Sequence, residues 1–367
     1  MLGKKWMIKS GLAFNYDRQN IDIDNDQVVT IQKMVQAKLS FSHFLNEQTE
    51  LKFGSDLVHF EYGQNIRMDQ NYRLPFTNNQ LSGFAEIEYK ISKKFATRIG
   101  TRLENSSLLK ETSVVPRLSA AYKTGKHSQV SLAGGQFDQN PENDYLKFAP
   151  QLKPEKSQHA VMTWQYQTEF QTFRVEGYLK KYSNLVKFTQ PLATNPLDYS
   201  NSGSGHAEGV DIFWRDKETF DLTDYWISYS WINARRNYKD FPTAAIPTFV
   251  SEHNLSVVYK RFLEPLRIYA SVTYSFASSR PYHDPNLSGF MNAKTRNYND
   301  ISLSLTYLMK LLGKESVLHL MVNNLAGFNN VYGYNFSNTP NSSGIYESTP
   351  IKSPFVRQII LLVSIML

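Results

Sequence analysis

Apolar and polar residues alternate along most of the chain with a period of two. In residues 266–278, for example, Leu266, Ile268 and Val272 alternate with Arg267 and its polar successors. The same pattern recurs in three further segments, residues 81–92, 95–104 and 301–307. One apolar side repeating every second residue is the signature of a β-strand, whereas apolar stripes at helical spacing are hard to find. The sequence therefore predicts an all-β fold.

The connectors between the predicted strands have two lengths, which alternate. Short polar turns such as residues 46–48, 92–94 and 123–126 follow one end of the strands. Longer segments rich in Pro and Asn, such as residues 64–79 and 140–157, follow the other end. This order predicts about 16 antiparallel strands with up-and-down connections, joined by tight turns on one side and long loops on the other.

The chain ends in the almost wholly apolar stretch RQIILLVSIML. Its odd-numbered residues from Ile359 to Leu367 form one apolar side, and Ile360, Leu362 and Met366 make the other side apolar as well. The run is too short for a transmembrane helix, which needs about 20 residues, but fits a transmembrane strand of about 9–11. Backbone groups cannot stay unpaired in lipid, so such a sheet must close. We expect a transmembrane β-barrel in contact with outer-membrane lipid.

Composition supports this expectation without deciding it. Tyr, Phe and Trp make up 14% of the chain while the mean hydropathy is −0.43, as expected for strands with one apolar and one wet side. Many predicted strands exceed about 12 residues, whereas soluble sandwich strands average about 5–6. A soluble or surface-attached structural β-protein remains the alternative.

The termini, cysteine count and charge exclude several classes. The N-terminal residues 1–16 lack the apolar core of a signal peptide, and we expect residues 1–367 to form a single β-barrel domain. Cysteine is absent, which excludes disulfides and thiolate chemistry. The net charge of +7 comes from scattered Lys and Arg, with no nucleic-acid patch.

Several stretches resemble the C-terminal barrel of TonB-dependent outer-membrane receptors, particularly those of the Bacteroidetes type. They carry the resemblance in the right order and spacing: PRLSAAYKTGKHSQVSLAGGQFDQNP, LKPEKSQHAVMTWQY, FRVEGYLKKYSNLVKF, SGSGHAEGVDIFW and VNNLAGFNNVYGYNFS. The resemblance is best over residues 110–367. It implies a barrel of a Gram-negative outer membrane.

The chain departs from that family in three respects. Such receptors resemble 22-stranded barrels with an N-terminal plug, and about six strands and the plug domain are not found in this sequence. No segment for the TonB-type energy transducer is visible, and the last residue, Leu367, is not aromatic. The resemblance implies energised uptake of a scarce small solute, whether siderophore, cofactor, glycan or peptide, with a plug and a transducer as partners. A passive porin-like channel is the other transport hypothesis.

Charged residues on the predicted strands indicate an interior wall. Charge facing lipid is costly, so we expect these side chains to face the lumen. They would guide an anionic solute, grip a plug, or simply form an ion-paired wall, which we favour. They are Glu86, Glu88, Arg98, Arg102, Glu104 and Arg117.

Aromatic residues in the long connectors are candidates for ligand contact, because aromatics on solvent-exposed loops commonly mark binding surfaces. We expect Tyr145, Phe148, Tyr199, Tyr282, Tyr332 and Tyr334 to contact a solute. The eight His show no paired metal-ligand spacing, and no Ser, His and acid combination is singled out. The sequence therefore predicts no catalytic, cofactor-binding or metal site, and no enzyme.

Overall fold

The computed structural model describes residues 5–23, 26–67, 71–189 and 194–365. More than two thirds of them lie in β-strands, and the helices are few and short, so the all-β prediction is confirmed. The strands are β1 (Trp6–Ile23), β2 (Asp26–Phe44), β3 (Thr49–Arg67), β4 (Asn71–Lys90), β5 (Phe95–Ser106), β6 (Glu111–Lys123), β7 (Ser128–Gln139), β8 (Glu155–Gln167), β9 (Gln171–Phe188), β10 (Tyr199–Asp216), β11 (Thr223–Asn237), β12 (His253–Leu263), β13 (Ile268–Ala277), β14 (Pro281–Tyr282), β15 (Ala293–Lys294), β16 (Tyr298–Leu311), β17 (Lys314–Asn323), β18 (Gly333–Phe336), β19 (Ser348–Ile351) and β20 (Gln358–Ile365).

One antiparallel sheet of 16 strands contains every long strand, in the order β1 to β13, β16, β17 and β20. Each strand pairs with its neighbours in sequence, so the up-and-down arrangement and the strand count are confirmed. The two remaining pairs, β14–β15 and β18–β19, are small hairpins within long loops. A helix, α1 (Asn143–Leu146), and two 3₁₀ turns, Pro196–Asp198 and Glu264–Leu266, complete the described elements. No helix in this part of the chain is long and apolar enough to cross a bilayer.

The sheet has two edges in the described residues, since β1 pairs only with β2 and β20 only with β17. The pairing of β20 with β17 confirms that successive side chains of β20 alternate between the two faces of the sheet. Ile359, Leu361 and Val363 stand beside apolar residues of β17, and Leu362 stands beside His319 on the other face. The predicted positions of Met366 and Leu367 lie outside the described residues.

The two faces of the sheet differ in chemistry. We call the outer face the one that carries Leu118, Leu132, Met162 and Leu179, whose side chains are each more than half exposed. The register aligns it across neighbouring strands, because Leu132 stands opposite Met162 and Leu118 opposite Gly134. The opposite side, the inner face, carries most of the charged residues. An uncovered row of large apolar side chains is what a lipid-contacting surface requires.

Aromatic residues form a row on the outer face near the short turns. Cross-strand ring contacts join Trp164 to Phe173 at 5.6 Å and Phe173 to Trp214 at 5.7 Å. Tyr122 and Tyr259 extend this aromatic row on either side, on strands of the same outer face. Such a row is typical of a membrane–water interface, where an aromatic ring contacts both apolar and polar surroundings.

The expected loop over residues 64–79 is wrong. Strands β3 and β4 continue as a paired hairpin, with Gln64 opposite Leu74 and Gly63 opposite Pro75. The outer positions of this segment, such as Asn65, Arg73 and Thr77, are polar because the hairpin extends beyond the apolar band, whereas Leu74 and Phe76 lie on the inner side. The outer apolar row therefore ends although backbone pairing continues.

Two small cores lie at the long-loop end of the sheet. Leu109, Leu146, Ala149 and Val186 form the first, beneath α1. Ala207, Ala234 and Val250 form the second. These cores fix the loops against the strand ends, so the loops present defined surfaces.

Candidate functional site

The six charged residues predicted to face the lumen share the inner face of strands β4, β5 and β6. Glu88 stands opposite Arg98, and Glu86 stands opposite Gly100, which itself stands opposite Arg117. The same register places Arg102 and Glu104 on this face. The structure therefore groups these residues, although which solute or segment meets them stays a prediction.

Arg98 is held between two carboxylates on the neighbouring strand. Its guanidinium donates to Glu88 at 2.6 Å and lies 3.3 Å from Glu86. The positive charge of Arg98 is thus compensated within the wall, which is the arrangement of an ion-paired lining.

Arg102 connects three strands further along the same face. It donates to Glu104 at 2.6 Å and to the hydroxyl of Ser82, and lies 3.6 Å from Asp56 of β3. Asp56 also accepts from the amide of Gln36 at 2.9 Å. Because each polar group has a partner, this network is a fixed part of the sheet.

Arg117 differs from the other two arginines. Its guanidinium lies 4.6 Å from the centre of the Phe137 ring, and no carboxylate lies within ion-pair distance in the described residues. It lines a 270 Å³ depression together with Glu86 and Arg98. Of the six predicted lumen residues, Arg117 is the one best placed to meet an anion.

Strand β3 also contributes charged residues to the inner face, and none of them is among the six predicted lumen residues. Asp56, Lys52 and Glu50 lie on the same inner face as the arginines, and Lys52 lies 3.4 Å from Glu50. These residues alternate with Leu51 and Phe53, so the alternation alone would have revealed them.

Two of the predicted loop aromatics pack inside the first loop core. Tyr145 lies 6.1 Å from Tyr199 between ring centres, and both contact Phe188. Burial, and next the carboxylate of Glu142, raises the pKa of the Tyr145 hydroxyl above its ordinary value. These rings stabilise the loop from within. Phe148 lies beside them, half-buried, with the ammonium of Lys147 5.2 Å from its ring centre.

The other loop aromatics meet across two different loops. Tyr282 lies 4.9 Å from Tyr334 and 6.3 Å from Phe336 between ring centres. Two hydrogen bonds join the same loops: the Asn286 side-chain amide donates to the Tyr346 carbonyl at 2.9 Å and accepts from the Tyr346 N–H at 2.8 Å. The sequence could not reveal this contact, because it depends on how two separate loops fold together.

Tyr332 is 44% exposed and lines a polar cavity of 330 Å³ at the loop end of β16 and β17. Tyr298, Asp300 and Lys352 line the same cavity, which we call the loop pocket. Tyr298 lies 6.1 Å from Tyr332 between ring centres.

Asn324 and Asn330 shape the pocket by hydrogen bonds to the backbones of Phe328 and Asn299. Aromatic, amide and charged groups that converge in one cavity suit a polar solute. In the described part of the chain, no three His, Asp or Glu residues are grouped as a metal site.

Comparison with solved structures gives a consistent likeness. The chain is similar to the outer membrane transporter YddB from Escherichia coli, at 10% identity and a TM-score of 0.73, covering 99% of this chain and 61% of that one. It is similar to the ferric-catecholate import receptor Fiu from Escherichia coli, at 12% identity and a TM-score of 0.72, covering 99% and 62%. It is also similar to the ferric yersiniabactin uptake receptor FyuA from Yersinia pestis, at 13% identity and a TM-score of 0.70, covering 98% and 58%. At these identities the likeness shows the fold.

The chain thus spans about three fifths of the length of these structures. No curated protein matches it in sequence. A family model described as TonB dependent receptor-like, beta-barrel, matches residues 3–325. This match covers well over half of the chain and agrees with the 16-stranded antiparallel sheet, so the chain belongs to the TonB dependent receptor-like β-barrel family.

Proposed function

We propose that the chain forms the wall and outer loops of an outer-membrane receptor for energised uptake of a scarce solute. The observation that carries the proposal is the family match over residues 3–325. A plug domain and a TonB-type energy transducer are proposed as partners, and residues 1–367 as a single barrel domain. The proposed role is transport, with no catalytic step.

The loop pocket is the proposed first contact for the solute. Long loops of outer-membrane barrels face the outside, and the pocket opens among them. Its volume of 330 Å³ is near the lower end of small-molecule sites, about 300–1,000 Å³. We therefore expect it to hold one end group of a larger solute, with Tyr332 stacking and Lys352 attracting negative charge. Tyr282 and Tyr334 would extend the contact surface, whereas Tyr145 and Tyr199 support the loop.

The inner face is the proposed route past the outer loops. Arg98 and Arg102 are neutralised by carboxylates, which supports a structural lining at these positions. Arg117 lacks such a neighbour in the described residues and would attract an anionic solute or an acidic part of a plug.

The solute class is tested first with a ferric catecholate, since Fiu is a receptor for ferric-catecholate import. Uptake of radiolabelled iron as a ferric catecholate is measured in cells with and without the gene, in the presence and absence of a protonophore. We expect uptake to require both the gene and the membrane potential. Gene-dependent uptake that survives the protonophore would support the passive porin-like channel.

A matched pair of variants then tests the loop pocket. Tyr332→Ala should lower gene-dependent uptake by about tenfold, because an aromatic contact in a pocket contributes about 1–2 kcal/mol. Tyr16→Ala, on the outer face of β1, should leave uptake unchanged. Equal uptake by the two variants would show that the solute enters elsewhere.

Copper is the second solute to be tested, because the structurally similar OprC is a copper transporter.

A further inference from the structure

We propose that the outer face holds a specific anionic, phosphate-bearing lipid, with an acyl chain in a groove over strands β6 to β11 and its headgroup on Lys181 and Arg235. The proposal depends on the sheet lying in a membrane and is independent of which solute is transported. It rests on the shape of the groove, on its height along the strands, and on an unbalanced row of basic side chains at its end.

The groove is a shallow cavity of 730 Å³ in the outer face. Small residues form its floor: Gly134 on β7 stands directly opposite Ala160 on β8, and Gly177 on β9 lies diagonally from Ala160, opposite Met162. Leu132 and Leu179 stand above this floor and are more than half exposed. A side chain at Gly177 would meet no atom within 4 Å, so the space above it is open. Apolar walls around an open floor suit a methylene chain.

A second concavity of 560 Å³ continues the groove towards the long loops. The two share Ala160, Leu179 and Glu208, so they form one continuous surface. The part of this second concavity nearest the long loops is lined by Lys181, His206 and Arg235. The groove therefore changes from apolar to basic along the direction of the strands.

The basic end lies at the height of lipid headgroups. Trp214 belongs to the aromatic row at the other interface, and His206 is eight positions before it on β10. Eight residues span about 26 Å of strand, or roughly 20 Å of height after a tilt of about 40°. The apolar band of such barrels is about 25 Å tall. The basic row thus lies near the outer limit of the apolar band, below the loop ends of β9 and β10.

This basic row has no counter-charge of its own. Lys181 stands directly opposite His206, and His206 stands opposite Arg235 on the next strand. None of the three makes an ion pair with a described residue, whereas exposed Lys33 pairs with Glu61 at 3.3 Å. The nearest acid in the groove, Glu208, accepts a hydrogen bond from Asn233 at 3.0 Å. Lys181 and Arg235 lie on either side of His206, and an anion above them would offset the repulsion between their two positive charges.

A phosphate-bearing lipid fits both ends of the groove at once. Its phosphate would accept hydrogen bonds from Lys181 and Arg235, and its acyl chain would cover the small residues below. Basic pockets beside apolar membrane surface bind acidic lipid headgroups in this way. A soluble anion would satisfy only the upper end, and a protein partner would not need a groove of acyl width.

The test uses Trp231, which lines the groove, as the reporter. The full chain is folded into vesicles of phosphatidylcholine that contain increasing fractions of brominated phosphatidylglycerol or, in a parallel series, brominated phosphatidylcholine. Bromine quenches indole fluorescence on contact. The signal of Trp231 is obtained by subtracting the emission of Trp231→Phe. We expect half-quenching at a several-fold lower fraction of the anionic lipid than of the zwitterionic one.

Variants separate headgroup from acyl-chain binding. Lys181→Gln combined with Arg235→Gln should remove the preference for phosphatidylglycerol, while Lys33→Gln, on the outer face away from the groove, should retain it. Gly177→Leu should fill the groove and reduce quenching by both lipids. Equal quenching by the two lipids in the unmodified chain would overturn the proposal, as would a preference that survives the double substitution. Weak quenching by both lipids would show that something else, such as a second copy of the chain, covers the groove, and would also overturn it.

Discussion

Arg102 shows how a single side chain couples strands on the inner face. It reaches Asp56 on β3, Ser82 on β4 and Glu104 on its own strand. Asp56 is only 8% exposed, so its carboxylate contacts protein donors such as the Gln36 amide more than water. Alternation in the sequence is enough to place Arg102 on this face. Its partner on β3 depends on the strand register, and alternation cannot distinguish two registers that differ by two residues.

Substitution of Arg102 tests this coupling. Arg102→Met should lower the free energy of unfolding by about 1–3 kcal/mol, because it leaves partly buried carboxylates without their donor. Lys33→Met removes the exposed Lys33–Glu61 pair and should cost clearly less, because water and salt screen that pair. Urea unfolding of the chain in lipid vesicles measures both. Equal costs would mean that the inner network contributes no more than a surface ion pair.

Asp216 is a second residue whose environment determines a measurable property. It ends β10, and its carboxylate accepts from the backbone N–H groups of Glu218 and Thr219 at 2.7 and 2.9 Å, from the Thr219 hydroxyl and from Gln171. Burial raises the pKa of Asp216, but these hydrogen bonds outweigh it and lower the pKa from 3.8 to about 2. The carboxylate therefore organises the turn that follows.

The pH dependence of stability follows from that lowered pKa. The folded state binds this proton less readily than the unfolded state, so the stabilisation is complete above about pH 4 and is lost as the pH falls towards 2. Asp216→Asn should reduce stability at neutral pH and flatten its decline between pH 4 and 2. Unfolding midpoints across this range provide the comparison. Parallel curves for the two proteins would show that Asp216 does not titrate as described.

At the scale of elements, alternation predicted strands well where the two faces meet different surroundings. It failed over residues 64–79, where the β3–β4 hairpin extends beyond the apolar band and its outer face carries polar residues such as Asn65 and Thr77. There the backbone hydrogen bonds continue without a side-chain pattern to reveal them. The small hairpins β14–β15 and β18–β19 were missed for the same reason.

Neighbouring residues of one strand test the assignment of the faces. Leu132 lies on the outer face opposite Met162, and Ala133 lies on the inner face opposite Val161. Leu132→Arg should cost about 1–2 kcal/mol in a bilayer, because it places a charge against lipid between the aromatic row and the middle of the apolar band. Ala133→Arg should cost less than about 1 kcal/mol, because the inner face is wet and ion-paired. If urea unfolding showed that Ala133→Arg costs more than Leu132→Arg, the assignment of the outer and inner faces would have to be reversed.

At the scale of the whole molecule, the sequence predicted the family and the sheet but not how its loops combine. Tyr282 and Tyr334 lie far apart in the chain, and their contact depends on two loops that fold against each other. The loop pocket likewise draws on β16, β17 and the long loop before β20. Composition can mark aromatic residues as candidates, but only the fold separates those that pack inside a loop from those that face a cavity.

The two edges of the sheet carry a consequence for the whole assembly. Leu12 and Phe14 on β1 are 87% and 71% exposed, and Leu361 and Leu362 expose both faces of β20. Every second backbone N–H of an edge strand lacks a strand partner on its open side. Such groups are costly in lipid, so each edge must be paired in the membrane, whether by the other edge or by further strands.

Hydrogen exchange of the full chain in detergent micelles measures this directly. We expect open-side amides of β1 and β20 to be protected about 100-fold less than those of β9 and β10, which pair on both sides, a difference of roughly 3 kcal/mol in opening free energy. The β9–β10 amides serve as the internal reference within the same sample. Equal protection of all four strands would show that β1 and β20 pair with each other and that 16 strands suffice to close the barrel. Low protection confined to the two edges would instead mean that closure in the membrane requires strands from elsewhere, because an uncovered ladder cannot persist in hydrocarbon.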